Sequence, residues 1–379
     1  MRIAILGTRG IPSQYGGFEK CAEHIALSLS KRGHYVMVYN AHNHPNQKTL
    51  WEGVHIAHVN DPEFKLRTFG RFVFDYNCIR DLRGKDYDIV LQLGYRSSPI
   101  WNFILPNDIN LVTNMGGLEW KRPKYGKILS KAIAYAEKIA VQRCLNLVAD
   151  SLAIQSYIDK KFEKKSRYIP YGAHVFRDPD VNILKVYNVE KFNYDLFIGN
   201  LEPENSLEMI LDGVVAANTS REFIIIGNHL TKSGEYLKNK YRKAINIRFL
   251  GGIYDKNGLN NLRYFSNLYF HGHTLGGTNP LLLEAMACRS LISAHQNDFN
   301  RFVIDCDAFY FSTSDDVARQ LVKQERNEFS HEKLLDNNIK KITNHFNWEN
   351  VGMMYENFFL EVLDNRNEKV RKLDSKLAV

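Results

Sequence analysis

The stretch His271-Gly272-His273-Thr274-Leu275-Gly276-Gly277-Thr278-Asn279-Pro280-Leu281-Leu282-Leu283-Glu284-Ala285-Met286-Ala287-Cys288 joins the end of an apolar run to a glycine-rich loop and then to a helical pattern. Proline suits a first helical turn because its missing N–H needs no intrahelical partner. A strand, a tight loop and a helix in that order make a cradle for an anion. The glycines let the backbone come close, and the first N–H groups of the helix point at the ligand. Glu284 falls about one turn into the helix, on the loop-facing side, where a carboxylate can accept two hydrogen bonds from a ribose diol. The plainer reading is a solvated helix residue. Its neighbours Leu282, Leu283, Ala285 and Met286 read as buried, and an unpaired carboxylate among them is costly. On the ligand reading the carboxylate serves the nucleotide and not the core, so its removal leaves the fold intact.

Outward from this stretch, short apolar runs alternate with amphipathic segments. In the first half they are Ile3–Leu6, a helix over Glu19–Lys31, Tyr35–Tyr39, Ile89–Leu93 and Leu111–Asn114. The rhythm restarts after Tyr168-Ile169-Pro170-Tyr171-Gly172, with strands at Tyr194–Ile198, Phe223–Ile226, Ile247–Leu250, Leu268–His271 and Ser290–Ser293. Such βαβ alternation predicts an α/β fold with doubly wound parallel sheets. Two Rossmann-like lobes follow: residues 1–171, completed by a C-terminal helix over 347–365, and residues 172–346. Val351, Met354, Tyr355, Phe358 and Phe359 recur at helical spacing and place that last helix on the first lobe. The charged end, Asn365 to Lys376, reads as a frayed tail.

A chain of 379 residues with 44% apolar and 24% charged residues fits two globular domains of ordinary size. The first residues enter a strand pattern directly, without the features of a signal peptide. No apolar run approaches the roughly 20 residues that cross a bilayer. The five cysteines are scattered singly, with no metal-ligand spacing. These features predict a cytoplasmic protein with reduced thiols and no bound metal or cofactor. Residues 1–170 hold 25 Lys and Arg against 15 Asp and Glu, net +10, and the remainder holds 25 against 27. A basic first half matches an anionic partner or a merely solvated face equally well. Nucleic acid is the weakest partner, because no base-reading motif or aromatic platform is present. A dinucleotide site is set aside, because Gly7-Thr8-Arg9-Gly10 is not GxGxxG.

The first turn continues Ile11-Pro12-Ser13-Gln14-Tyr15-Gly16-Gly17-Phe18-Glu19, a glycine pair before a long helix. With the loop and helix at 271–288, it resembles the retaining family 4 glycosyltransferases. The Gly-Gly-Thr-Asn-Pro version is similar to a bacterial rhamnosyltransferase subgroup that acts in surface polysaccharide assembly. Further landmarks are Leu118-Glu119-Trp120-Lys121-Arg122, Leu201-Glu202-Pro203-Glu204-Asn205 and Phe346-Asn347-Trp348-Glu349. The resemblance implies a GT-B fold with a cleft between its lobes and metal-independent transfer. Its donor would be a nucleotide-diphosphate sugar, with dTDP-rhamnose the best guess, and its acceptor a lipid-linked saccharide. Glu284 would bind the donor ribose, and the backbone of Gly277, Thr278 and Asn279 the diphosphate. His273 would lie close to the donor with a catalytic role, its plainer reading being a histidine hydrogen-bonded at a strand end, and Gly16 and Gly17 would face the donor from the first lobe. Three positions depart from the family pattern. Gly276 replaces its first motif glutamate, as the subgroup does. Asn200 and Asn205 stand where an arginine and a lysine hold the diphosphate, and Gly116 where a histidine or aspartate faces the sugar. Arg9, Lys121 and Arg122 are the cations that could stand in, Arg9 with a catalytic role; each reads more readily as a surface charge.

Residues 119–143, EWKRPKYGKILSKAIAYAEKIAVQR, interleave Lys121, Arg122, Lys124, Lys127 and Lys131 with Trp120, Tyr125, Ile128, Leu129, Ile133 and Tyr135. One reading is a basic amphipathic surface for an anionic membrane, on the inner face of the cell membrane where a lipid-linked acceptor would be met. The other is a helix that packs its apolar stripe on its own lobe. For the whole chain, an active transferase and a catalytically degenerate protein that scaffolds a partner transferase both remain open.

Overall fold

The computed structural model describes residues 1–379 except Gln14, Tyr15, Arg67, Asn107, Asp108, Pro123, Lys124, Ala378 and Val379, and except the side chains of Phe64, Leu66, Thr68, Asn367 and residues 369–377. The chain divides into two compact units: Met1–Lys121, Tyr125–Tyr171 and Trp348–Val379 form the first; Arg122–Lys124 and Gly172–Asn347 form the second.

Among the described residues the first unit is built on eight strands: β1 (Arg2–Leu6), β2 (Tyr35–Ala41), β3 (Leu50–Trp51), β4 (Val54–Val59), β5 (Ile89–Leu93), β6 (Asn110–Asn114), β7 (Asn146–Ala149) and β8 (Ser166–Tyr168). Their order is β3-β4-β2-β1-β5-β6-β7-β8; β3 and β4 form an antiparallel hairpin, and the other pairs named are parallel. β1 and β5 read as unbroken apolar runs because both faces of a parallel sheet are covered, and their side chains are buried from Ile3 to Leu6 and from Ile89 to Leu93. β7 and β8, short strands at one edge, escape a search for apolar runs.

The second unit has, among the described residues, six strands, β9 (Tyr194–Ile198), β10 (Glu222–Ile226), β11 (Ile247–Gly251), β12 (Tyr269–His271), β13 (Ile292–His295) and β14 (Phe309–Phe311). They are ordered β11-β10-β9-β12-β13-β14, and every pair is parallel. Phe197, Ile210, Leu211, Phe223, Phe270 and Phe311 are among the side chains of one buried cluster against this sheet. Strand order reverses between β9 and β12, and at such a switch point the loops leaving the two carboxyl ends diverge and open a crevice. In the first unit the equivalent place lies between β1 and β5.

The last helix runs Trp348–Leu377 and belongs to the first unit. It crosses the helix Gly17–Lys31 closely: a Cβ on Gly352 would stand 2.0 Å from Ser28 Oγ. Trp348 stacks on His24, and Tyr355, fully buried, accepts a hydrogen bond from Asn114 Nδ2 at 2.7 Å. The stretch Asn365–Lys376, read from sequence as a frayed tail, is a continuation of this helix. It contains no glycine or proline to end it, and Glu, Lys and Arg carry good helix propensity. Among the described residues no helix is long and apolar enough to cross a membrane.

Candidate functional site

At the switch point of the second unit, two loops are fastened together. The loop after β9 makes a 3₁₀ turn over Pro203–Asn205. The carbonyl of Glu204 accepts from both Thr274 N and Thr274 Oγ1, at 2.9 Å each. Gly272 permits this approach, because a Cβ there would stand 1.9 Å from the carbonyl oxygen of Asn205. His273 Nδ1 lies 2.9 Å from Asn205 Oδ1, and Asn205 Nδ2 donates to the Asn200 carbonyl at 2.7 Å. The His273 carbonyl in turn accepts from Asn297 and Asn300 at 3.0 and 3.1 Å. Asn200 and Asn205, the positions of the missing cations, thus hold the loop that carries His273.

The helix of this loop spans Pro280–Ala287, with Asn279 as its N-cap accepting from Leu281 N. Gly276 takes φ +131, a conformation that favours glycine. Thr278 is buried and Gly277 half-buried. Glu284 Oε2 accepts from Arg263 Nη2 at 2.6 Å; the arginine side chain is 2% exposed and the carboxylate 24%. Burial works against the Arg263 charge, and Glu284, Tyr269 and Cys288 together outweigh it, so the guanidinium is held above its ordinary value. This corrects the expectation that Glu284 has no part in the core: it is the counter-ion of a wholly internal cation. Arg263 itself went unread in the sequence. It sits in the polar-looking helix Lys256–Tyr264, and the one usable signal was that a carboxylate among apolar neighbours needs a partner.

His271, at the end of β12, is buried, and its Nε2 has no hydrogen-bond partner among the described residues. Burial, then the nearby His273 and His295, keeps its imidazole well below the usual histidine range. Arg122, which the sequence places on the acceptor-side basic surface, groups instead with the second unit. Its Nη1 is 3.5 Å from Oε1 of the buried Glu204.

In the first unit Gly16 is the N-cap and Gly17 the first residue of the helix Gly17–Lys31, so the pair straddles the helix start where the sequence reading put both glycines ahead of it. Gly16 has φ +105, and a Cβ there would meet Glu19 Oε2 at 2.1 Å; Glu19 Oε1 accepts from Arg9 N at 3.3 Å. Arg9 is not a spare cation: its guanidinium pairs with Asp61, at 3.7 Å, and with Glu63. Gly116, at φ +55, is covered by the Phe18 ring. Beside Gly7 and Gly94 lies a cavity of about 10 Å³ lined by Phe18, Arg71, Asp75 and Arg96, room for about one water.

On the helix Lys127–Arg143, Lys127 and Lys131 are exposed, as are Ile128 at 88% and Tyr135 at 64%. Ile133, Ala136, Ala140 and Val141 face inward. Trp120 also turns inward, donating to the buried Glu137 at 3.2 Å. Lys121 is exposed beside the Trp120 ring, and Lys124 lies outside the described residues. Among the described residues no group of three or more His, Cys, Asp or Glu is placed to hold a metal ion.

Residues 1–174 match a family described as a domain of unknown function, DUF1972. The chain is similar to Protein CapJ of Staphylococcus aureus, 27% identical over 240 residues that make up 60% of this chain and 54% of CapJ, so the match spans about half of that relative's length. Among solved structures, it is similar to sucrose-phosphate synthase from Thermosynechococcus elongatus, with a TM-score of 0.78 at 14% identity over 96% of this chain and 99% of that one. It is similar also to Anabaena HepE in complex with UDP-glucose, with a TM-score of 0.71 at 15% identity over 96% of this chain and 99% of that one. The fold is therefore that of the GT-B glycosyltransferases.

Proposed function

We propose that this protein is a glycosyltransferase that takes a sugar from a nucleoside diphosphate donor and passes it, with retention and without a metal ion, to a lipid-linked saccharide in surface polysaccharide assembly. The observation that carries this reading is the arrangement at the β9/β12 switch point: a glycine-rich loop runs into the helix Pro280–Ala287, and Glu284 is fixed one turn inside it. The N–H groups of Gly277, Thr278 and Asn279 take the diphosphate, whose charge grows as the sugar departs, and preorganised donors of this kind stabilise it without reorganising. Glu284 takes the ribose hydroxyls, and His273 faces the sugar. The resemblance to rhamnosyltransferases makes dTDP-rhamnose the leading donor; HepE, solved with UDP-glucose, makes a UDP-sugar the next. A thermal-shift panel of nucleotides and nucleotide sugars tests this, since a ligand at about 100 times its Kd adds roughly 2.7 kcal/mol to stability. The reading expects one diphosphate nucleotide and its sugar to stand out, and a panel with no stabilising nucleotide rejects it.

A second reading has a specific observation behind it. Asn200 and Asn205 supply no cation, and Arg9 is occupied by Asp61 and Glu63, which fits a protein that binds a donor and serves a partner transferase. Release of free nucleoside diphosphate from the stabilising donor separates the two: the transferase turns the donor over slowly even onto water, and the scaffold does not.

The lipid-linked acceptor places the first unit at an anionic membrane. Lys127, Ile128, Lys131 and Tyr135, exposed on one face of the helix Lys127–Arg143, supply cations beside apolar side chains, as membrane-surface helices do.

A further inference from the structure

We propose that Arg263 is the positioning residue of the nucleotide site: it acts on the donor through Glu284, by fixing the direction and ionisation of that carboxylate. The inference rests on the reading of Glu284 as the ribose ligand.

A glutamate side chain on a helix surface turns freely about three torsions, and ordering it on binding costs up to about 2 kcal/mol of conformational entropy. Here the cost is met in the folded state. Arg263 Nη2 donates to Oε2 at 2.6 Å, and Arg263 Nη1 is itself held by Asn260 Oδ1 at 3.2 Å on the preceding turn of the same helix. The Arg263 backbone is fastened too, its carbonyl accepting from Ser266 Oγ at 2.9 Å and Ser290 Oγ at 3.0 Å. The two members of the pair differ in setting: the guanidinium is internal, whereas the carboxylate is 24% exposed. A ligand at the helix start therefore meets the acid and never the base. Because an internal guanidinium stays charged, the carboxylate beside it stays ionised, which is the form that accepts from two hydroxyls. An arrangement made only for stability has no need to put an internal cation under a part-exposed acid, since an apolar pair of similar volume does as well or better.

The test measures UDP and dTDP affinity by titration calorimetry on wild type, Arg263→Lys, Glu284→Gln and the double variant, with unfolding followed in parallel so that only folded protein is compared. Arg263→Lys keeps the charge but loses the planar fork. The expected result is that either single change weakens the nucleotide about tenfold or more, the worth of a hydrogen bond to a charged group. Adding Arg263→Lys to Glu284→Gln should then change affinity less than about twofold, because the arginine has no remaining route to the ligand. Folded Arg263→Lys that binds as tightly as wild type, while Glu284→Gln is weakened, overturns the role of Arg263 and leaves the nucleotide reading standing. Losses that multiply in the double variant also overturn it, as they assign Arg263 a separate structural effect. If Glu284→Gln binds as wild type does, the inference and the reading beneath it fall together.

Discussion

A Cβ placed on Gly116 would stand 2.6 Å from Cζ of Phe18, and one placed on Gly94 would stand 3.1 Å from Cε2 of the same ring. The aromatic ring of the first helix thus lies across two glycines at the carboxyl ends of neighbouring strands. Phe18 takes the volume that a side chain at Gly116 would need.

Gly116→Ala is expected to destabilise the protein by about 1–3 kcal/mol, the usual cost of overpacking. Combining it with Phe18→Ala should recover part of the loss, since contacting residues are coupled by about 0.5 kcal/mol or more. Denaturant unfolding of the two single variants and the double variant measures this, and strictly additive losses would show that the ring and the glycine do not share the space.

Glu284→Ala removes the counter-ion of a buried arginine, and breaking such a pair from one side costs about 3–5 kcal/mol. Glu284→Gln retains an oxygen that Arg263 can donate to, so it should lose distinctly less. Midpoints of both variants equal to that of wild type would mean that the pair carries no structural weight.

How far the sequence reaches is clear from particular residues. β9 to β13 and the helix start at Pro280 were readable because buried parallel strands are apolar runs and Asn-Pro marks a first turn, both local signals. β14, at the far edge of the sheet, was not. Arg263, the Arg9 pairs with Asp61 and Glu63, and the Phe18 ring over Gly116 all depend on residues far apart in the chain. A buried arginine in Lys256–Tyr264 has the same letters as a solvated one.

Asp150 follows β7, is buried, and its carboxyl is pushed up by burial to about 7 from 3.8. Between those two pH values the native state keeps a proton that the unfolded chain has released, so this group makes stability fall as pH rises, by roughly 1.4 kcal/mol for each step of one in pH. Above pH 7 both states are ionised and the cost is complete. Asp150→Asn should therefore raise the Tm at pH 8, with the gain shrinking towards pH 5. A variant no more stable than wild type at pH 8 contradicts the assignment.

Lys124, Lys127 and Lys131 changed together to Glu should sharply weaken binding to anionic vesicles while leaving nucleotide affinity unaltered. Wild-type binding should fall with salt, since screening at about 0.15 M limits attraction to roughly 8 Å. Co-sedimentation with anionic and neutral vesicles measures both. Wild-type protein that ignores anionic vesicles at low salt would make a soluble acceptor the better reading.

On the proposed function, the second unit holds a nucleoside diphosphate on the loop His271–Asn279 and on Glu284. Titration calorimetry of wild type and Glu284→Gln with UDP and dTDP tests it most directly. Wild type should show a saturable site for at least one of the two, weakened about tenfold or more in the folded variant by loss of the charged acceptor. Wild type that binds neither, or Glu284→Gln that binds with undiminished affinity, would contradict it.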